Sequence, residues 1–225
     1  MILQLITDRR RLAPGSGDAD QVRCVLDQVR YAVEAGVDVI QVREHDLDAR
    51  ALAALVSQAL ALTRGTSTRL LVNERLDVAL ACGADGVHLR GSSFTASRVR
   101  ALAGAGFLIG RSVRSVEEAR EAGPVDYLIA GTVWPTASKP EGHPLLGTDG
   151  LRRIVEAAPV PVLGIGGIDA NRLDALAATG AAGLAAIGAW MSGAAGCRAI
   201  PLHAVSRTFR GGRDLANMEL RIPHN

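Results

Sequence analysis

Lysine is almost missing from this 225-residue chain: of 25 Lys and Arg residues only Lys139 is lysine, and the other 24 are arginine. Aromatic residues are also scarce, at 3%, too few to stack successive nucleotide bases. No run of about 18 apolar residues occurs, which excludes a membrane-spanning helix as the reading. The 3 cysteines, Cys24, Cys82 and Cys197, are far apart and form no CxxC pair. A disulfide framework and a zinc site are therefore not expected. Met1 leads directly into a strand-like run and then Arg9 to Arg11, so nothing reads as a signal peptide and a cytoplasmic location is expected. The net charge of +2 comes from the tail, where residues 198–225 carry five Arg against Asp214 and Glu219. That leaves the body near neutral, without a nucleic-acid footprint. With 48% hydrophobic and 21% charged residues, the chain has enough apolar material for one full-sized domain.

Eight short β-branched and Leu-rich runs alternate with helical stretches: 3–7, 37–43, 69–73, 86–89, 108–112, 127–131, 160–164 and 183–187. Their hydrophobicity is continuous rather than alternating, as in Pro161-Val-Leu-Gly-Ile, which suits parallel strands covered on both faces. Helices are expected over 20–35, 47–64, 75–82, 95–104, 115–122, 147–158 and 169–179. Ser115 and Asp169 are plausible caps, and Gly36, Gly83, Gly123 and Gly180 stand where helices end. Eight βα units predict an α/β fold, a (β/α)8 TIM barrel over residues 1–196, with an open six-strand sheet as the competing reading. Residues 197–225 read as an irregular basic tail. No clean eighth helix follows Trp190, so closure there is poor or borrowed from a second copy, and a homodimer is a candidate assembly.

A barrel of this kind carries its active site at the C-terminal ends of its strands. Those ends are polar here: Gln41, Arg43, Glu44 and His45; Asn73 and Glu74; His88, Arg90 and Ser93; Arg111, Ser112 and Arg114; Thr132, Thr136, Ser138 and Lys139. Gly166 and Gly167 precede the helix near Asp169, and Ile187-Gly188 ends the neighbouring strand. Bare amides at such places approach an anion. Lys139 lies in a loop bracketed by Pro135 and Pro140, where a compact point charge suits a phosphate or a leaving pyrophosphate.

These residues resemble the thiamine phosphate synthase and thiazole tautomerase superfamily over about residues 3–190. The resemblance rests on Leu5-Ile-Thr-Asp8, Ile40-Gln-Val-Arg-Glu44, Leu71-Val-Asn-Glu-Arg75, Gly83-Ala-Asp-Gly-Val-His-Leu89, Ile109-Gly-Arg-Ser-Val113, Gly131-Thr-Val-Trp-Pro-Thr-Ala-Ser-Lys139 and Gly164-Ile-Gly-Gly-Ile168. It implies joining of a hydroxymethylpyrimidine diphosphate to a thiazole phosphate with release of pyrophosphate, in thiamine biosynthesis. By motif position, Gln41, Arg43, His45, Asn73 and Lys139 would hold the pyrimidine diphosphate. Thr136, Ser138, Gly166, Gly167, Ile187 and Gly188 would hold the thiazole phosphate. Arg43, Lys139 and Ser112 would be the catalytic set.

Departures from the pattern accompany the match. The usual lysine two places after Arg43 is His45, a weaker partner for pyrophosphate near neutral pH. The resemblance implies Mg2+ held by two Asp residues, and the corresponding positions are Glu74 and Ser93, so one of two expected carboxylates is absent. The Arg90-Gly-Ser-Ser93 strand end looks more like the tautomerase branch, which isomerises thiazole carboxylate phosphate without metal. That branch's acid-base histidine is here Thr132, leaving His45 or His143 as substitutes. The synthase is the leading expectation. The alternatives are a thiazole tautomerase and a non-catalytic barrel that binds thiazole or thiamine phosphate.

Overall fold

The continuous apolar runs become eight parallel strands, and the order β1 to β8 closes on itself in a barrel. The computed structural model describes residues 1–187. The strands are β1 (Ile2–Ile6), β2 (Val39–Val42), β3 (Arg69–Asn73), β4 (Gly86–Leu89), β5 (Leu108–Val113), β6 (Tyr127–Gly131), β7 (Val162–Ile165) and β8 (Gly183–Ala186). Closure comes from β1 pairing with β8, Gln4 opposite Ala185. The open six-strand alternative is thereby excluded.

The helices are α1 (Arg9–Leu12), α2 (Asp18–Glu34), α3 (Ala49–Thr63), α4 (Leu76–Cys82), α5 (Ala96–Ala103), α6 (Val116–Arg120), α7 (Gly147–Ala157) and α8 (Leu173–Ala177). The one-turn α1 was not expected. Asp8 creates it by accepting the Arg11 N–H, a cap strong enough to close a single turn. The helix expected over 169–179 splits into a 3-10 turn (Ala170–Arg172) and α8, because Asp169 accepts from Asn171 N and tightens the first turn. Ser115 caps α6 through Glu118 N, as expected. The region of the weak eighth helix lies outside the described residues.

A repeated phrase sets the strand starts. In Ala35-Gly-Val-Asp38 and Cys82-Gly-Ala-Asp85 the glycine takes φ of +73° and +68°, which turns the chain out of the helix at no Cβ cost. The aspartate then ties the new strand to its neighbour. Asp38 accepts the Leu3 N–H at 2.7 Å, Asp85 the Leu70 N–H at 2.8 Å, and Asp126 does the same for Ile109 at 2.6 Å. The β2 expectation began two residues early for this reason: Val37 N is still bonded to Ala32 O in the helix-ending turn.

Two apolar clusters result. One fills the shell between barrel and helices and includes Val25, Leu55, Val99, Leu151 and Leu176. The other fills the barrel interior, with Val39, Leu71, Leu108, Tyr127, Ile129 and Leu163. Tyr127 is wholly buried there, and Gly110 makes room for it: a Cβ on Gly110 would stand 2.4 Å from the ring. This plug seals the lower barrel and leaves the strand C-termini as the open end. No helix among the described residues is long and apolar enough to cross a membrane.

Candidate active site

A cavity of about 770 Å³ opens at the C-terminal ends of the strands. Gln41, Arg43, Asn73, Ser112, Thr136, Ser138, Lys139, Gly166, Gly167 and Ile187 line it. His45, Glu74 and Ser93 do not, and Gly188 lies outside the described residues.

The floor is a chain of amides. Gln4 Nε2 donates to Gln41 Oε1 at 2.8 Å, and Gln41 Nε2 donates to Asn73 Oδ1 at 2.8 Å. With its oxygen committed, Asn73 keeps its amide N–H groups as donors toward a ligand. Beside it, the wholly buried His88 places Nε2 2.8 Å from Ser112 Oγ. Burial, helped by the positive charge of Arg43, pushes the His88 pKa down to about 3. The ring is therefore neutral and fixes the Ser112 hydroxyl as a hydrogen-bond partner rather than as a charge.

Positive charge comes from the rim. Arg11, Arg43, Arg114 and Lys139 line the cavity, and among the described residues their side chains make no ion pair or hydrogen bond. Such uncommitted cations are a ready counter-charge for phosphate. Arg11 lies on the one-turn α1 just after the first strand, a helix too short for periodicity to reveal. The barrel rule applies equally to all eight ends and would have found it.

The opposite wall is the turn after β7. Gly166 and Gly167 have φ of +101° and +64°. The β6 loop folds onto them, with Trp134 N donating to Gly166 O at 3.1 Å. A Cβ on Gly167 would come within 2.4 Å of Pro135 O, so no side chain fits. Arg172 donates to Gly167 O and lies over the Trp134 ring, 5.7 Å from its centroid. Thr136 Oγ1 and Ser138 Oγ stand 3.3 Å apart at the edge of this turn. The anion-binding capacity expected from a helix start here needs correcting. The helical segment is a 3-10 turn and a five-residue helix, which leaves bare amides and hydroxyls, not a helix macrodipole, as what this turn offers an anion.

The profile of the thiamine monophosphate synthase family matches residues 5–190. The chain belongs to that family. A thiamine-phosphate synthase of Roseiflexus castenholzii is 40% identical over 190 residues, covering 84% of this chain and 80% of that protein. One from Methanoregula boonei is 43% identical over 162 residues, covering 71% of this chain and 75% of that protein. Among solved structures, a thiamine phosphate pyrophosphorylase from Pyrococcus furiosus is 34% identical with a TM-score of 0.76, covering 93% and 96% of the two chains.

The Mg2+ implied by the family resemblance does not fit the residues at its expected place. Arg90 Nε lies 2.6 Å from Glu74 Oε2, and the Ser93 hydroxyl donates to Glu74 Oε1. Both carboxylate oxygens are thus engaged by the protein itself. Among the described residues no group of three or more His, Cys, Asp and Glu side chains could hold a metal ion. His45 lines a smaller hollow of about 200 Å³ with Asp8, Arg10, Arg43, Glu44 and Asp46. Its pKa is lowered by burial and by the positive charges of Arg43 and Arg90, so it does not replace the charge of the family's lysine.

Proposed function

We propose that this chain joins hydroxymethylpyrimidine diphosphate to thiazole phosphate, giving thiamine phosphate and pyrophosphate. The observation that carries this reading is a single cavity lined both by uncommitted cations, Arg43 and Lys139 among them, and by the bare Gly166-Gly167 turn with Thr136 and Ser138. Its volume suits two small phosphorylated substrates held together.

In this reading the bond between the pyrimidine methylene carbon and the diphosphate oxygen breaks, and its electron pair leaves with pyrophosphate. Arg43 and Lys139 neutralise the charge that develops on the leaving oxygen, where a preorganised cation acts most strongly. Gln41 and Asn73, oriented by the amide chain from Gln4, hold the pyrimidine. Ser112, oriented by neutral His88, donates to the departing diphosphate. The thiazole nitrogen, positioned through its phosphate at Gly166 and Gly167, supplies the pair for the new carbon–nitrogen bond. No step is assigned to a metal. A cytoplasmic homodimer, with a barrel ending at residue 196, completes the proposal.

The test is incubation of the purified chain with both substrates and chromatography of the products. Thiamine phosphate and pyrophosphate in equal amounts are expected, and absence of both overturns the reading. A second reading draws on His143, which lines the cavity. An isomerase acting on thiazole carboxylate phosphate needs an acid-base group, and Thr132 occupies the position of that branch's histidine. Solvent deuterium entering that ligand without condensation would favour the isomerase. Ligand binding with neither reaction would favour a binding protein.

A further inference from the structure

We infer that Arg90 is the resident cation at the diphosphate end of the cavity, so that this chain holds pyrophosphate by a guanidinium where the resemblance implies a divalent metal. The inference rests on the synthase reading for its substrate and on the Arg90 cluster for its geometry.

Three contacts close that cluster. Arg90 Nε is 2.6 Å from Glu74 Oε2. The Arg90 backbone N–H donates to Ser93 Oγ at 2.8 Å, and the Ser93 hydroxyl in turn donates to Glu74 Oε1. Main chain and side chain of Arg90 are therefore both tied to one carboxylate. Glu74 reaches this position from a left-handed backbone with φ of +60°, shared by no other non-glycine among the described residues. The carboxylate itself does not line the cavity, whereas Arg90 does.

At this corner the cavity is lined by Arg90 and not by Glu74. Pairing through Nε leaves the four N–H bonds of the two terminal nitrogens, a fork that matches phosphate oxygens two at a time. A divalent cation at the same place would have to displace both Arg90 and Ser93 from Glu74. It would then lack the second acid, since Ser93 is a poor ligand for a hard cation. Arg43 and Arg90 both line the cavity. Arg90 thus adds a held cation to the free ones of Arg43 and Lys139.

The test is calorimetric titration of the intact protein with pyrophosphate, in chelator and in excess Mg2+. The native chain is expected to bind in chelator, with Mg2+ changing Kd by less than about threefold, and Arg90→Ala to weaken binding by about tenfold or more. Arg90→Lys should recover only part of the loss, since it restores charge without the fork. Arg90→Gln, with circular dichroism and melting beside it, separates lost charge from lost folding. Arg64→Ala, removing an exposed charge after α3, should bind like the native chain. No binding in chelator, or strengthening by Mg2+ of about tenfold, overturns the inference, as does binding by Arg90→Ala within about twofold of native. The titration reads the anion site alone. A chain that binds pyrophosphate in this way but makes no thiamine phosphate would count against the synthase reading and not against Arg90.

Discussion

Gly167 and Gly36 share a left-handed backbone, with φ of +64° and +73°, but differ in what surrounds them. A Cβ on Gly36 meets nothing within 4 Å, whereas one on Gly167 would stand 2.4 Å from Pro135 O and 2.8 Å from Trp134 O. Alanine at Gly36 therefore carries only the cost of the left-handed conformation, about 1–2 kcal/mol. For a chain of this size that is a fall in Tm of roughly 2–8 °C, at about 2–4 °C per kcal/mol. Alanine at Gly167 carries the same conformational cost plus a clash with two backbone oxygens, which cannot swing away as a side chain would. Forcing apart packed groups adds about 1–3 kcal/mol, so Gly167→Ala should lose roughly twice the stability of Gly36→Ala. The clash also moves the turn proposed to hold the thiazole phosphate, so binding of that ligand should fall by about tenfold or more while Gly36→Ala keeps native affinity. Differential scanning calorimetry and a thiazole phosphate titration on both variants measure this. Equal melting temperatures, with unchanged affinity in Gly167→Ala, would refute the reasoning.

Other perturbations test the barrel and the site separately. Gly110→Ala drives a methyl into the buried Tyr127 ring and should destabilise by about 1–3 kcal/mol or more in thermal melts, a cost that should shrink when the same change is made in a Tyr127→Val background. His88 has a native pKa of about 3 against an ordinary 6.5, so below pH 6.5 the unfolded chain takes up a proton that the native chain refuses. Stability should then fall as pH drops from 6.5 toward 3, by up to about 1.4 kcal/mol per unit. Urea titrations should show that slope flattened in His88→Asn. The same pKa means that His88 contributes no step to a rate profile between pH 5 and 8, and a step abolished by His88→Asn would contradict its neutrality. Lys139→Ala should lower turnover by about 10- to 100-fold, the value of a charge-assisted hydrogen bond to the leaving group, with Lys139→Arg intermediate in steady-state assays.

Much of the architecture was legible in the order of residues. Continuous apolar runs of strand length cannot leave a face in water, so eight of them separated by helices require a covered parallel sheet. The Gly-x-Asp phrase carries its own local physics, since glycine turns the helix end and aspartate accepts an N–H from the adjacent strand. Strand ends drifted by a residue or two because a helix-ending turn and a strand start are both apolar there, as at Val37. The short α1 was invisible to periodicity, which needs more than one turn.

The site divides in the same way. Its single lysine and its glycine turn could be seen in sequence, because Lys139 and Gly166-Gly167 are local features of loops that must end at the barrel mouth. Partnerships between loops could not. Glu74 and Ser93 read as a damaged metal pair when taken one by one, but β3 and β4 bring them together with Arg90, and the carboxylate is engaged by a guanidinium. In sequence His88 is one polar strand end among several, and only the register of β4 against β5 sets it beside Ser112. Sequence by itself therefore determined the eightfold alternation, the end of the barrel that carries chemistry and the residue types available there. Tertiary structure decided which of those groups neutralise one another and which remain free for a ligand, because charge pairing depends on distances between strands that no linear spacing encodes.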